Sequence, residues 1–393
     1  MVYCKSMYRL FIGLLCAIGI FGASNAIALA QSELVPDTTT LVRAKVLSIE
    51  KEEIREVAGT GTNHTIQTIR AEILEGEQDG IVVTVENDYL NLEEGETFYL
   101  SHTIDHINDM EYYNVRDPYR LPQLFLLTGL FIVAVLMFGG IQGLRGLVSL
   151  AGSFFFIFYL LLPGIMHGYS PLLITVLVSS LIIVLGSYVT HGFTRTTSAA
   201  VVGMVLTVII TGLFAYWSVG ITRLSGFGSD EVVYLNLNAG GNIDIVGLLL
   251  GGIIIGLLGV LYDAAIGQAV SVDELTRLAP HVSRKKIYER AVRIGREHIG
   301  ALVNTLAIAY AGTSLPLLLL FMQSDSATPL QIMNTEVFAT EIVRIMIGSI
   351  GLVLAVPITT LVAVWMLMRK PKDAEDGDHA HEEELLAHAR HTH

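Results

Sequence analysis

The chain has 393 residues, 52% of them apolar and only 16% charged, with a formal net charge of −13. That balance excludes an ordinary soluble domain. The acidic excess sits mainly in residues 31–121 and argues against nucleic acid or anionic lipid as a partner of that part of the chain.

At the N-terminus, Lys5 and Arg9 precede an apolar run from Leu10 to Phe21, and Ala28-Leu29-Ala30 fits a small-x-small cleavage site. Residues 1–30 therefore read as a signal peptide or an uncleaved signal anchor, and either puts the next segment outside the cytoplasm. Both cysteines, Cys4 and Cys16, lie in this stretch. Cys16 follows Leu15 rather than a small residue, which argues against a lipoprotein. A cleaved chain has no thiol left for disulfide chemistry.

Residues 31–118 read as an extracytoplasmic acidic β domain. Stretch 31–121 holds 19 acids against 7 bases. Alternating apolar residues predict strands over 40–50, 64–74, 80–86, 96–103 and 110–115, separated by Gly-rich turns. Five strands in so short a stretch suit a small β-barrel, with an OB-like arrangement among the options. Fold analogy names no ligand. The acids Glu93, Glu94, Glu96, Asp105, Asp109 and Glu111 suit either a bound cation or a solvated acidic surface. EF-hand spacing is absent.

Residues 119–370 read as an α-helical polytopic membrane domain. Nearly uncharged windows at 122–141, 147–166, 172–189, 199–221, 245–267, 299–322 and 342–368 are each near the ~20 residues that a bilayer crossing needs. Seven transmembrane helices follow. With the β domain outside, Arg145, Arg195, the basic 268–298 loop, and Arg369, Lys370 and Lys372 all fall inside, as the positive-inside rule requires. Arg223 and Arg344 dissent. The reading puts the chain in the bacterial cytoplasmic membrane, in contact with the lipid bilayer. Residues 371–393 become a cytoplasmic disordered tail of acids and histidines (His379, His381, His388, His391, His393), without spacing for a fixed metal site.

Within the helices, Gly247/Gly251 and Gly252/Gly256 are small-xxx-small pairs suited to close packing, so that span is expected at the bundle centre. Asp263 is an acid near the exit of the same span. An ionised Asp at a helix centre costs ~2.5–3.5 kcal/mol, so such a residue faces protein or water. Asn304 begins the next span from the same side, at similar depth. Facing each other, the two suit cation coordination, proton relay or a structural hydrogen bond. With Tyr262 and Thr305 beside them they make the candidate solute or ion site. Glu341 and Arg344, spaced i, i+3, are expected to pair at the outer entrance of the last span, as structure or as a gate. Asp244 reads as a helix cap, and His191, Thr194 and Arg195 as the short inner turn between spans three and four.

Several ordered motifs carry a resemblance. They are Gly143-Leu144-Arg145-Gly146, Thr194-Arg195, Gly259 through Tyr262-Asp263, Ser271-Val272-Asp273-Glu274-Leu275, Arg293-Ile294-Gly295-Arg296-Glu297-His298, Asn304-Thr305-Leu306-Ala307, Tyr310-Ala311-Gly312 and Ser314-Leu315-Pro316. Over roughly 120–368 the chain resembles the YibE/F-like family of bacterial polytopic membrane proteins. The resemblance implies an architecture and supplies no activity. It draws attention to Arg293, Arg296 and Glu297 as an inner-face network, paired with Asp263 or Asp273.

Motifs of metalloproteases, serine hydrolases and nucleotide-binding loops are absent, as is a paired-cysteine site. No enzyme activity, cofactor or metal is expected. The favoured reading is a transporter or permease for a small solute or ion. The alternative is an envelope scaffold or sensor whose β domain binds an envelope protein, or a homo-oligomer. No inverted repeat is evident, which weakens the transport reading.

Overall fold

The computed structural model describes residues 38–56, 63–88, 90–105, 110–323 and 328–368. The expected signal segment and C-terminal tail lie outside the described residues, as do Asp109, Arg369, Lys370 and Lys372. The chain divides into two compact units, Met1–Gly129 and Leu130–His393.

The first unit is an antiparallel half-barrel of five strands: β1 (Thr38–Glu56), β2 (Asn63–Ile73), β3 (Val82–Asn87), β4 (Thr97–Asp105) and β5 (Met110–Pro118), in the order β3-β2-β1-β4-β5. β1 is far longer than the expected 40–50. Its first part, Thr38–Lys45, pairs with β4, and Ala44–Glu56 pairs with β2. Register shifts between Val46 and Ser48 and between Ile49 and Lys51 bend it so that one strand serves both flanks. β3 and β5 approach each other without a hydrogen-bonded ladder. The inner face closes on Ala44, Val46, Ile69, Ala71, Ile73, Val85, Leu92, Phe98 and Leu100.

Buried Gln67 pins the segment after β3. Its Nε2 donates to Asn91 Oδ1 and Leu92 O, both at 3.1 Å, and its Oε1 accepts from Leu92 N at 2.9 Å and Asn87 Nδ2 at 3.0 Å. Gln67→Leu keeps the bulk and strands these groups, at roughly 1–3 kcal/mol for each buried group left unpaired. Amide exchange at Leu92 is expected to lose its protection in that variant; unchanged protection refutes the pinning role. The acids of this unit serve mainly as local acceptors. Glu96 Oε2 takes Glu93 N, and Glu94 Oε1 takes Ile49 N. Glu111 Oε2 takes the Tyr113 hydroxyl and the buried His102 ring, both at 3.0 Å. Those bonds, Tyr113 first, hold the Glu111 carboxyl below the usual carboxylate range.

The second unit is helical. Its elements are α1 (Leu121–Phe156), a π-turn (Ile157–Leu161), α2 (Leu162–Met166), α3 (Pro171–His191), α4 (Arg195–Thr222), α5 (Asp230–Asn238), α6 (Ile245–Leu278), α7 (Arg284–Thr313), α8 (Leu315–Met322), α9 (Pro329–Met333) and α10 (Glu336–Leu367). Among the described residues, five helices are long and apolar enough to cross a membrane, or six if α7 and α8, bent by 69°, count as one span. The expected windows 122–141 and 147–166 fall in one 46-residue helical stretch, Leu121–Met166, and make two of the expected seven crossings if the chain turns back within it. That stretch is interrupted at Gly140, whose φ of 53° and ψ of −137° are open to glycine and strained for any other residue.

α6 is the central helix, packed against α3, α4, α7 and α10. Asp244 caps it, its Oδ1 accepting from Gly247 N at 2.9 Å. Gly251 and Gly256 face Thr175 and Tyr310 closely, whereas Gly252 faces open space. The largest departure from expectation is the 268–298 segment, which is not a loop. α6 runs on to Leu278, α7 starts at Arg284, and only five residues turn between them. At ~1.5 Å per residue α6 is about 51 Å long, well beyond a ~30 Å hydrocarbon core. Ala265, Ala269 and Val272 of α6, with Ile287, Ala291 and Gly295 of α7, form a buried seam, and the charges occupy the outer faces.

Candidate functional site

A cavity of about 320 Å³ opens between α6, α7 and α10. α6 contributes Asp263, Ala264, Gly267, Gln268 and Ser271, which share one helix face. Gly295, His298 and Leu302 enter from α7, and Val356 from α10. Gly295 is what lets three helices meet here. A Cβ on it would lie 2.5 Å from Val356 Cγ1 and 2.7 Å from Gln268 Oε1. Gln268 is 4% exposed, and its Nε2 donates to Ala291 O at 2.6 Å, tying α6 to α7. Ser271 Oγ donates to Gly267 O at 2.8 Å, which leaves its lone pairs free.

Asp263 is exposed toward this opening and has no hydrogen-bond or ion-pair partner among the described residues. His298 lines the same cavity. The His191 ring, at the end of α3, is 5.9 Å from that of Tyr262, whose buried hydroxyl has no partner among the described residues. A free carboxylate that shares a cavity with an imidazole, an amide and a hydroxyl suits a cation or a transferable proton.

Asn304 and Thr305 are exposed and do not line the cavity. Gly295 lies against Gln268 and Tyr310 against Gly256, so Asn304 is level with the Leu261–Asp263 turn but on another face of α7. Thr305 bonds within its own helix, to Ala301 O at 2.9 Å. The expected network of Arg293, Arg296 and Glu297 with Asp263 or Asp273 does not form among the described residues; all three side chains are exposed. Arg277, one turn along α6, takes Asp273 instead, at 2.8 and 3.2 Å, and Thr196 of α4 donates to the same carboxylate at 3.0 Å. Glu341 and Arg344 do pair, at 2.9 Å, with the guanidinium 5.9 Å from the Tyr310 ring centre.

His298, Gln268 and Ser271 were absent from the sequence candidates. The spacing of Gly295, His298 and Leu302 on one helical face was the signal available for His298. For Gln268 it was an amide set among small apolar neighbours.

A family model described as YibE/F-like protein matches residues 127–369. The chain belongs to the YibE/F-like family. The YibE/F-like match takes in every residue of the cavity and leaves out the five strands, which end at Pro118. No curated protein and no solved structure matches the chain.

Proposed function

We propose that this YibE/F-like chain is a polytopic membrane protein that passes a small cation, a proton or a small polar solute across the bilayer, using the Asp263 cavity. The observation that carries the reading is a free carboxylate that shares a cavity with the His298 imidazole, between long apolar helices. A structural acid in such a bundle is expected to be paired. With 121–139 and 141–166 taken as two crossings on either side of the Gly140 break, the basic ends of α6 and α7 face the cytoplasm, the half-barrel lies outside and the C-terminus inside. The membrane is the cytoplasmic membrane, and residues 1–30 act as the export signal. Glu341 and Arg344 lie toward the outer end of the path, where opening their pair would widen it.

Asp263→Asn keeps the shape and removes the charge. Proton and sodium flux into proteoliposomes, read with entrapped pH- and sodium-sensitive dyes, is expected to fall about tenfold or more. One charge at ~4 Å is worth ~1–4 kcal/mol to a monovalent cation. Flux of an established solute that is unchanged in the variant removes Asp263 from the mechanism.

The scaffold or sensor alternative draws on the half-barrel, whose strand order, with β3 and β5 juxtaposed, is that of an OB-like barrel. It is favoured if deleting 31–117 abolishes function while flux through the helical unit persists.

A further inference from the structure

α4 and α10 are one helix written twice. From Gly203 to Trp217 the chain reads GMVLTVIITGLFAYW, and from Gly351 to Trp365 it reads GLVLAVPITTLVAVW. Nine of these 15 positions are identical at a constant offset of 148. The chain has only two tryptophans, and they fall on equivalent positions. Burial repeats as well: Gly203, Met204, Thr207, Val208, Thr211, Gly212 and Ala215 are buried, and so is each equivalent in α10. Between the preceding helices, Leu177-Val178-Ser179-Ser180-Leu181-Ile182-Ile183 of α3 and Leu302-Val303-Asn304-Thr305-Leu306-Ala307-Ile308 of α7 share four of seven residues, at an offset of 125.

The two copies meet reciprocally. A Cβ on Gly203 would lie 2.6 Å from Thr359 Oγ1, and one on Gly351 would lie 2.7 Å from Thr211 Oγ1. Gly203 is the equivalent of Gly351, and Thr211 of Thr359. Each copy therefore offers the same glycine to the same threonine of the other, the signature of a twofold axis through the seam. The helices cross antiparallel, so the axis lies across them. α3 packs on α4 and α7 packs on α10, and α6 touches all four. The stretch 141–166 precedes α3 as α6 precedes α7, which makes three helical segments and three.

Two antiparallel copies of one unit in a bilayer are an inverted-topology repeat, and solute sites of such folds lie between the repeats. We propose that the chain is built on an inverted repeat, α3–α4 and α7–α10, and that the Asp263 cavity has a counterpart opening on the opposite face. That counterpart lies between 141–166, α3 and α4, with Leu177 where the cavity has Leu302 and Val208 where it has Val356. A solute passes between the two as the repeats rock about the α4/α10 seam. This rests on the transport reading and adds the second opening and the pivot. Pro357 stands where α4 has Ile209, next to Val356, and removes a backbone hydrogen bond beside the cavity.

The test uses the full chain with Cys4 and Cys16 replaced by serine, in oriented vesicles of both senses, and a charged maleimide that does not cross membranes. L302C is expected to react from one face only and L177C from the opposite face only. L213C, at a position 67% exposed and equivalent to exposed Leu361, serves as the lipid-facing control. It should react about tenfold more slowly from both faces, because hydrocarbon excludes the charged reagent. L177C reacting at the L213C rate, or from the same face as L302C, overturns the counterpart. T207C/A355C, midway along the seam, should form a disulfide with an oxidant; a monodisperse, folded double variant that does not cross-link overturns the pivot. Labelling requires no flux, so the repeat can stand where Asp263→Asn leaves flux intact, and can fall where that variant abolishes it.

Discussion

Gly203→Ala lowers the melting temperature of the helical unit by about 2–10 °C, read from tryptophan fluorescence. The added methyl would meet Thr359 Cα at 2.8 Å and Cβ at 2.9 Å, as well as the hydroxyl at 2.6 Å. A backbone atom cannot rotate aside as a side-chain tip can, so α4 and α10 must separate. Overpacking of this kind costs ~1–3 kcal/mol, which is roughly 2–10 °C for a unit of this size. Both tryptophans, Trp217 and Trp365, lie on the outer faces of these two helices, so the signal follows the unfolding of α4 and α10. Gly252→Ala and Gly259→Ala are the controls. Nothing lies within 4 Å of either new Cβ, and alanine is the better helix former by up to ~1 kcal/mol. Equal melting in Gly203→Ala and the controls refutes the close contact.

Gly295→Val has the larger consequence, because it acts on packing and cavity together. Its Cβ would enter the space between Val356 Cγ1 and Gln268 Oε1, and its branches would reach into the opening beside His298. Moving Gln268 aside breaks its bond to Ala291 O and leaves a buried amide unpaired. Overpacking and the stranded amide each cost ~1–3 kcal/mol, and they share one neighbourhood, so the sum need not be additive. Flux is expected to fall at least as far as in Asp263→Asn, with a lower melting temperature besides. Adding Val356→Ala frees room at the nearest contact and should restore part of both. If Gly295→Val matches wild type in flux, α7 does not wall the path at this point.

Alternation in stretches such as Val42-Ala44-Val46 made the strands legible, because a half-buried strand has one wet face. The apolar helices were legible from hydropathy alone. The extensions of α6 and α7 were not, because only about one residue in four of each faces the seam and the charges between dominate any averaged window. Asp263 stood out as a single acid in an apolar run. His298 did not, since it follows Arg293, Arg296 and Glu297 and reads as one more polar residue. Asn304 shows the limit of counting along a helix: depth follows from residue number, but the face follows from the register of the α6–α7 hairpin, which only the packing determines. The repeat escaped for a related reason. Apolar helices resemble one another in hydropathy, and the Gly–Thr pattern acquired meaning only when α4 and α10 were seen to exchange it.

The length of β1 sets an order of events in the half-barrel. Ala44–Glu56 can pair with β2 as a local hairpin, but Thr38–Lys45 waits for β4, which begins at Thr97. Closing that gap carries the entropy of a long loop, so the second flank forms after the first. β5 ends at Pro118 and the first apolar helix begins at Leu121. During synthesis the sheet can therefore be completed only as that helix is emerging. A chain halted before Thr97 presents half of β1 as an unpaired edge, the part of this protein most exposed to pairing with another chain.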